Sequence, residues 1–235
     1  MSKKKPLLKV NILTLFPEFI DQACSYSILK RAREKNIFLP NIVNIRDFTR
    51  DKHRTVDDKP YGGGSGMVLK VEPLARALYN LRKTTAMGKV ILLSPTGKVF
   101  KHNKAKKLAK AKEFTLLCGH YEGVDQRVVD KLCDEEISIG DYVLTGGEIA
   151  AGVIIDAVVR LLPGVLGDKD SNIFESFAHG LLDYPTYTRP LTYKRWRVPE
   201  VLISGNHKKI QLWRRQKQLE ITRQKRPDLL KKDNT

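Results

Sequence analysis

Three glycine-containing turns follow apolar runs in the middle of the chain and could hold a nucleotide-type ligand. They span residues 93–97, 117–125 and 138–148. Glycine lets a backbone approach a ligand closely, and the freed amides can bind an adenine edge or a ribose. Ordinary turns between strands and helices also favour glycine, so for any one turn the structural role is the better interpretation. Three turns together favour a pocket.

A fourth segment, residues 61–67, places four glycines within five residues, beside Lys52, His53, Arg54 and Lys59. Ordering such a loop costs much conformational entropy, and a bound ligand can offset this cost. Next to these cations it could wrap a phosphate or a base. A flexible linker explains the composition equally well, and both alternatives stay open on the residues alone.

Two charged residues are candidates for acid–base or electrostatic roles. Arg160 lies near the end of a predicted helix, where a cation is favourable on dipole grounds alone. Glu175 ends the unpatterned segment 164–175, which we interpret as a linker or mobile loop, with Asp168 and Asp170 close by. A lone carboxylate in a loop is usually only solvated.

Several familiar site motifs are absent from the sequence. The glycines at 62–66 follow a polar stretch and lack dinucleotide-fingerprint spacing, and Gly97-Lys98 continues with Val99 and is not a phosphate-binding loop. The three cysteines form no C-x-x-C pair, which argues against disulfides and a zinc site. We therefore predict no metal site from residue spacing.

The net charge of +17 favours a polyanionic partner, and its distribution supports this. Residues 189–235 hold 14 basic and 4 acidic residues, whereas residues 113–183 hold 4 basic and 14 acidic ones. In the basic C-terminal region aromatic residues alternate with cations. The aromatic rings can stack on bases, and the cations can neutralise phosphates. We expect Trp213 and Ile210 to pack the core of this region and the exposed Lys and Arg to contact RNA.

Alternating apolar runs and helical patterns predict an α/β fold, a parallel sheet with helices on its faces. The predicted strands are 9–16, 41–48, 89–94, 114–118 and 137–144. The predicted helices are 17–36, 72–82, 103–112, 124–132, 148–162 and 207–223, the last one capped by Asn206. Segment 98–112 is rich in lysine and suits a solvated helix face. Ligands in such folds bind beyond the carboxyl ends of the strands.

The same patterns predict a domain of residues 1–165, a linker at 166–180 and a small basic helical domain at 181–235. No stretch approaches the length of a membrane helix. The short N-terminal apolar run is interrupted by Lys9 and Asn11 and is not a signal peptide. We expect a cytoplasmic protein without a membrane or DNA partner.

A series of ordered motifs resembles one known family, the bacterial tRNA (guanine-N1)-methyltransferases. The resemblance runs from Phe16 to about Leu230 and is carried by residues 16–18, 45–48, 57–64, 118–125, 138–144, 163–167, 187–190 and 202–207. It implies an α/β fold with a deep trefoil knot in the first domain, a small helical C-terminal domain and an obligate homodimer. A knot could not be inferred from periodicity, because knots are essentially absent from folds in general.

The resemblance also implies ligands and residue roles. The cofactor is S-adenosylmethionine, with a further dependence on magnesium, and the substrate is tRNA, gripped at its anticodon branch by the C-terminal domain. Cofactor contacts are expected at Leu93, Ser94, Pro95, Gly97, Gly119, Glu122, Ile139, Gly140, Asp141, Tyr142, Val143, Leu144, Gly146 and Gly147. RNA contacts are expected at Tyr61, Gly62, Gly63, Gly64, Arg189, Ser204, Asn206, His207, Arg214 and Arg215.

The implied reaction is methylation of N1 of the guanine immediately 3′ of the anticodon. By resemblance, Glu175 is the general base and Arg160 stabilises charge at O6. The family has an aspartate before Ser-Phe, whereas this chain has Glu175, one methylene longer. Asp170 is the weaker candidate for the base.

Two alternatives remain. One is a knotted methyltransferase for another RNA base or for ribose, against which the 61–67 loop and the 175 segment argue. The other is an RNA-binding protein that has lost catalysis, which the departure at Glu175 would favour.

Overall fold

The apolar runs of the sequence form the strands of an α/β fold in a computed structural model, which describes residues 5–167 and 175–230. The strands in these ranges are β1 (Leu8–Thr14), β2 (Phe38–Asn44), β3 (Asp57–Asp58), β4 (Val68–Leu69), β5 (Lys89–Val99), β6 (Glu113–Cys118), β7 (Glu135–Ser138), β8 (Thr192–Tyr193) and β9 (Trp196–Arg197). The helices in these ranges are α1 (Pro17–Ala23), α2 (Ser27–Glu34), α3 (Val71–Thr84), α4 (His102–Ala109), α5 (Gln126–Leu132), α6 (Glu148–Val159) and α7 (His207–Lys225), with 3₁₀ turns at Ile45–Phe48, Glu200–Ile203 and Pro227–Leu230.

The central sheet has five parallel strands in the order β2-β1-β6-β5-β7. This arrangement confirms the predicted parallel sheet. Its strands bury both faces: Ile12 and Leu116 belong to one apolar cluster, whereas the next residues, Leu13 and Leu117, belong to the other. The alternation follows from the two-residue period of a strand. The first cluster includes residues of α1, α2, α4 and α6, and the second includes residues of α3 and α5, so helices cover both faces.

Several elements differ from their predicted bounds, and at two of them a local polar contact lies at the difference. The strand predicted at 41–48 lies at Phe38–Asn44, since Asn44 accepts a hydrogen bond from the Arg46 amide (3.0 Å) and starts a 3₁₀ turn. The strand predicted to reach 144 ends at Ser138. The helix predicted at 17–36 is two helices, with Ser25 Oγ donating to the Asp21 carbonyl (2.7 Å) at the break.

The chain divides into two compact units, Met1–Gly167 and Asp168–Thr235. In the second unit, the part of the predicted linker that the structure describes, residues 175–180, forms hydrogen-bonded turns. The Leu182 amide donates to Thr222 Oγ1 (2.9 Å), which ties this segment to α7. Asn206 caps α7 as predicted, accepting from the Lys209 amide (3.1 Å). Trp213 is half-buried and its ring lies 6.5 Å from that of Tyr187. Among the described residues, no helix has the length and apolarity to cross a membrane.

Strand β5 is unusually long and pairs with β7 twice, before and after an irregularity at residues 94–97. Leu93 and Lys98 are both register partners of Ile137. Gly97 lies directly against the β7 backbone: a Cβ at this position would be 2.5 Å from the carbonyl carbon of Glu136 and 2.6 Å from that of Ile137. The close approach of the two backbones therefore requires glycine at position 97.

We expect Gly97→Ala to lower the free energy of unfolding by about 1–3 kcal/mol or more, the usual cost of overpacking. The neighbouring exposed Lys98→Ala is the control, with an expected change within about 0.5 kcal/mol. Urea unfolding followed by circular dichroism measures both. A Gly97→Ala protein as stable as the wild type would contradict the tight β5–β7 packing.

Candidate functional site

A cavity of about 360 Å³ lies in the first unit, beyond the carboxyl ends of β6 and β7 and beside the irregularity of β5 at residues 94–97. It forms where a parallel sheet is expected to bind ligands. The three glycine-containing turns of the sequence make its walls. The lining residues are Leu92, Leu93, Ser94, Pro95, Thr96, Gly119, His120, Tyr121, Glu122, Gly123, Val124, Ile137, Ser138, Ile139, Gly140, Tyr142, Val143, Leu144, Thr145, Gly146, Gly147 and Ala150.

Twelve of the fourteen residues expected to bind a cofactor line this one cavity. They are Leu93, Ser94, Pro95, Gly119, Glu122, Ile139, Gly140, Tyr142, Val143, Leu144, Gly146 and Gly147. Gly97 and Asp141 do not line it. Gly97 packs instead against the β7 backbone. The binding role of all fourteen stays a prediction, whereas their convergence is a feature of the fold.

Backbone contacts between two of the turns close the cavity. The Gly147 amide donates to the Gly119 carbonyl (2.8 Å), and His120 and Gly146 form an isolated antiparallel bridge. A Cβ at Gly147 would be 2.8 Å from the Cys118 Cα, and one at Gly146 would be 2.5 Å from both Glu148 Oε2 and His120 Nδ1. Glycine at these positions lets the two turns touch.

Buried polar side chains lie next to the contact between these two turns. Glu148, the first residue of α6, is almost fully buried and accepts a hydrogen bond from Thr14 Oγ1 at the end of β1 (2.7 Å). His120 packs edge-on against the rings of Phe16 and Tyr121. Its buried Nδ1 has no hydrogen-bond partner among the described residues. The wall of the cavity therefore contains a buried polar atom whose hydrogen bond the described residues do not supply.

The glycine-rich loop is connected directly to the same wall. The Glu122 amide donates to the Met67 carbonyl (3.0 Å), and Leu69 exchanges backbone hydrogen bonds with Gly123 and Asp125 (both 3.0 Å). A Cβ at Gly66 would be 2.5 Å from Glu122 Cγ. These contacts argue against a free linker. The end of the loop at residues 66–69 is fixed against the cavity-lining turn.

The tip of the loop carries four residues expected to bind RNA, and it is open to solvent. Tyr61 is 99% exposed. Gly62, Gly63 and Gly64 have φ values of 85°, 81° and 118°, which side chains rarely adopt. An exposed aromatic ring on such a tip can stack on a base.

The sequence did not single out several residues that line the cavity. Thr96 and His120 are examples, although both lie inside the turns that were recognised. Thr96 Oγ1 donates to the Glu136 carboxylate (2.6 Å) and shares a hydrogen bond with Ser94 Oγ (2.6 Å). The turn boundaries were the only available signal, because which side chains point inwards depends on the tertiary fold.

The two candidate catalytic residues lie in different units. Arg160 follows α6 directly, is half-buried, and its amide donates to the Asp156 carbonyl (3.2 Å). Glu175 is half-buried, and its carbonyl accepts from the Ala178 amide (3.2 Å). Asp168 and Asp170 lie outside the described residues. Pairing of Arg160 with Glu175 stays a prediction.

The remaining residues expected to bind RNA lie in the second unit and are exposed: Arg189, Ser204, Asn206, His207, Arg214 and Arg215. Three of them have structural contacts. Asn206 caps α7, and Ser204 Oγ donates to the Val201 carbonyl (2.8 Å). The Arg214 guanidinium lies 4.7 Å from the centre of the Tyr184 ring. An RNA contact by Asn206 or Ser204 would have to be compatible with these hydrogen bonds.

The parallel sheet and its glycine-walled cavity define an α/β protein with a cavity at the carboxyl edge of the sheet. Comparison with known families identifies it further. Residues 8–232 match the family model described as tRNA (Guanine-1)-methyltransferase TrmD, and the chain belongs to this family.

Curated relatives cover nearly the whole chain. A tRNA (guanine-N(1)-)-methyltransferase of Carboxydothermus hydrogenoformans is 55% identical over 95% of this chain and 88% of its own length. Proteins with the same name are 56% identical in Caldanaerobacter subterraneus subsp. tengcongensis and 53% identical in Geobacter sulfurreducens. These alignments span 95% and 96% of this chain, and 92% of each relative.

The three cysteines are free thiols with little reactivity in the folded protein. Burial, and then the nearby Glu148 charge, raises the pKa of Cys118 well above its usual value. Burial raises the pKa of Cys24 to about 11, and burial with the charges of Glu136 and Asp134 raises that of Cys133 to about 12. Because the thiolate is the nucleophile, none of these groups is suited to nucleophilic catalysis.

We expect an aromatic disulfide reagent at about pH 8 to leave all three thiols of the native protein unmodified, because raised pKa values keep them protonated. The same protein in urea should release three equivalents of chromophore per chain. The release is measured by absorbance. A native thiol that reacts as fast as a small free thiol would contradict the assigned burial.

Proposed function

We propose that this protein transfers the methyl group of S-adenosylmethionine to N1 of the guanine immediately 3′ of the anticodon in tRNA. The observation that carries the proposal is the convergence of three glycine-containing turns on one cavity in a chain of the tRNA (guanine-1)-methyltransferase family. The names of its relatives support the base and the kind of RNA. The position in the tRNA follows from the resemblance.

The cavity suits S-adenosylmethionine in three respects. Backbone groups of Gly119, Gly140 and Gly147 can approach an adenine or a ribose closely, because no side chain intervenes. The Leu93 and Ile139 side chains offer apolar surface for the ring. The Glu122 carboxylate offers an acceptor for ribose hydroxyls or a partner for a cation. When bound, this molecule supplies an already activated methyl group on a sulfonium.

The tasks left to the protein are proton removal and alignment. Guanine N1 carries a proton and is a poor nucleophile until that proton leaves. We assign its removal to the Glu175 carboxylate. As the proton leaves, negative charge builds on guanine O6, and we assign its stabilisation to the Arg160 guanidinium.

Glu175 in place of the family's aspartate changes the length of the side chain and keeps the basic carboxylate. Glutamate has the same carboxylate as aspartate on a side chain one methylene longer. The turn at residues 175–180 holds the Glu175 backbone through its carbonyl. Either the side chain folds back to accommodate the extra methylene or the loop shifts. Asp170 is the secondary candidate for the base.

The decisive experiment measures transfer of labelled methyl from S-adenosylmethionine to an unmodified tRNA transcript with guanine 3′ of the anticodon. A transcript with that guanine replaced is the substrate control and should stay unlabelled. We expect Glu175→Gln to lower the single-turnover rate by about 10²- to 10⁴-fold, the usual contribution of a general base. Cofactor affinity measured by calorimetry should not change.

Two further variants test the assignment of Glu175 as the general base. Glu175→Asp restores the family residue and should retain activity, whereas the exposed Glu200→Gln, in the same unit, should match the wild type. A near-normal rate for Glu175→Gln would remove Glu175 as the base. Cofactor binding without methylation of either transcript would favour an RNA-binding protein or a different RNA target.

We further propose that the cavity region is a deep trefoil knot, as the resemblance implies. The close backbone approach at Gly97 supports a chain packed tightly between its neighbours. The contacts of Gly146 and Gly147 with His120 and Gly119 support it as well, since they join the segment after β7 to the segment after β6. RNA contact is proposed for the 61–64 loop tip and, separately, for the basic second unit.

A homodimer is proposed on the same basis. Ile149 and Val153 are one helical turn apart on α6 and are 47% and 45% exposed, although most of this helix is buried. Phe16 and Phe19 add exposed aromatic surface at the start of α1. Exposed apolar residues of this kind are typical of protein interfaces.

We expect sedimentation to give twice the chain mass of 26.8 kDa for the wild type. Val153→Asp should shift the protein towards the monomer, because a charge would be buried in the interface. Tyr79→Asp, an equally exposed position on α3, should stay dimeric. A monomeric wild type would contradict the dimer, and a dimeric Val153→Asp protein would place the interface elsewhere.

Magnesium dependence remains a proposal from the resemblance. Within residues 5–167 and 175–230, no group of three or more His, Cys, Asp or Glu side chains is arranged to hold a metal ion. A cytoplasmic location is proposed as well, because that compartment holds tRNA precursors of a bacterial cell.

A further inference from the structure

A second strongly basic surface lies in the first unit, in the segment 98–112 that joins β5 to β6 through α4. It contains seven lysines and no acidic residue. We call it the α4 lysine segment. It is separate in sequence from the basic C-terminal region, and none of its residues lines the cavity. The proposed reaction leaves it without a role.

The packing of α4 fixes which lysines are available. Ala105 and Leu108 are buried in the apolar cluster that also contains α6 residues. The exposed lysines of the segment are Lys98, Lys101, Lys107, Lys110 and Lys112; Lys107 lies within α4, and the others flank it. Lys104 is half-buried and paired with Glu135 at 2.5 Å. Five exposed cations thus fall within the short stretch of chain from Lys98 to Lys112.

The charge of this surface is not arranged for the stability of α4. The residue at the N-cap is Lys101, no side chain caps the helix, and its first turn has no acidic residue. A cation at this end opposes the helix dipole. Lys107 and Lys110 are three residues apart, where like charges repel. Lysines in the last turn are favourable for the dipole, but those at the start are not. An external polyanion would relieve this repulsion.

RNA fits the surface better than an anionic membrane does. A membrane-surface helix needs an exposed apolar face opposite its cations. In α4 the apolar residues Ala105 and Leu108 are buried in the core. A duplex backbone needs only spaced cations, because it is read through its phosphates without base contacts.

We propose that the α4 lysine segment binds the phosphate backbone of the tRNA substrate outside the cavity. The choice of tRNA rests on the proposed function, whereas the phosphate-binding surface does not. Lys101, Lys107 and Lys110 are the principal contacts. They raise affinity for the whole tRNA and take no part in methyl transfer.

The test compares two triple variants with equal net charge. The first is Lys101→Gln, Lys107→Gln and Lys110→Gln. The matched control is Lys83→Gln, Lys89→Gln and Lys131→Gln, three exposed lysines of α3, β5 and α5 outside the segment. Each is titrated with the tRNA transcript and with an unrelated RNA duplex of about 20 base pairs over a series of salt concentrations.

We expect the α4 variant to bind both RNAs less tightly, by about 10- to 100-fold at roughly 0.1 M salt. The slope of log affinity against log salt should become shallower by about 2 to 3, since each lost phosphate contact contributes about 0.9. KM for tRNA should rise while kcat stays unchanged. The control variant should follow the wild type in all three measurements.

Equal affinities and salt dependences of the two variants for both RNAs would overturn the proposal. The lysines would then serve only to keep the protein soluble. Unchanged RNA affinity together with lost binding to vesicles of anionic lipid would replace it by a membrane surface. The duplex distinguishes this proposal from the proposed function. If no tRNA is methylated but the α4 variant alone loses duplex binding, the phosphate-binding surface stands and the assigned reaction fails.

Discussion

The contact between the turn after β6 and the turn before α6 is the constraint on which the rest of the site depends. It consists of one backbone hydrogen bond, from Gly147 to Gly119, and one bridge, between His120 and Gly146. Both need positions without side chains. The contact closes the cavity on one side and starts α6, whose first residue, Glu148, is held by Thr14 at the end of β1. The cavity wall is thereby tied to the middle of the sheet.

The general architecture could be predicted from the sequence because it depends on short-range patterns. Five apolar runs predicted the five strands of the sheet, and the three glycine turns predicted where the cavity forms. Boundaries were less accurate where a single polar side chain decides them, as Asn44 does after β2 and Ser25 does after α1. Such hydrogen bonds compete with regular structure without changing the hydrophobic period.

Other features depend on tertiary contacts that the sequence pattern does not carry. Gly97 lies against the β7 backbone and does not line the cavity, and only the strand pairing shows this. His120 was overlooked although it lines the cavity, because a lone histidine in a turn has no distinctive spacing. The role of Glu175 came from resemblance alone, since nothing in its own segment marks it. The basic character of the second unit was easier to predict, because charge density follows directly from amino-acid composition.

The contact between Gly66 and Glu122 has a thermodynamic consequence. One residue belongs to the solvent-exposed glycine loop and the other to the cavity wall, and there is no room for even a methyl group between them. A ligand that shifts the Glu122 side chain must therefore alter the conformational freedom of the loop, and an RNA that orders the loop must alter the energy of that shift. By linkage the two effects are equal in size, so each ligand changes the affinity for the other by the same factor. A ligand in the cavity and a ligand on the loop would therefore be coupled through this protein contact, in addition to any direct contact between the two ligands.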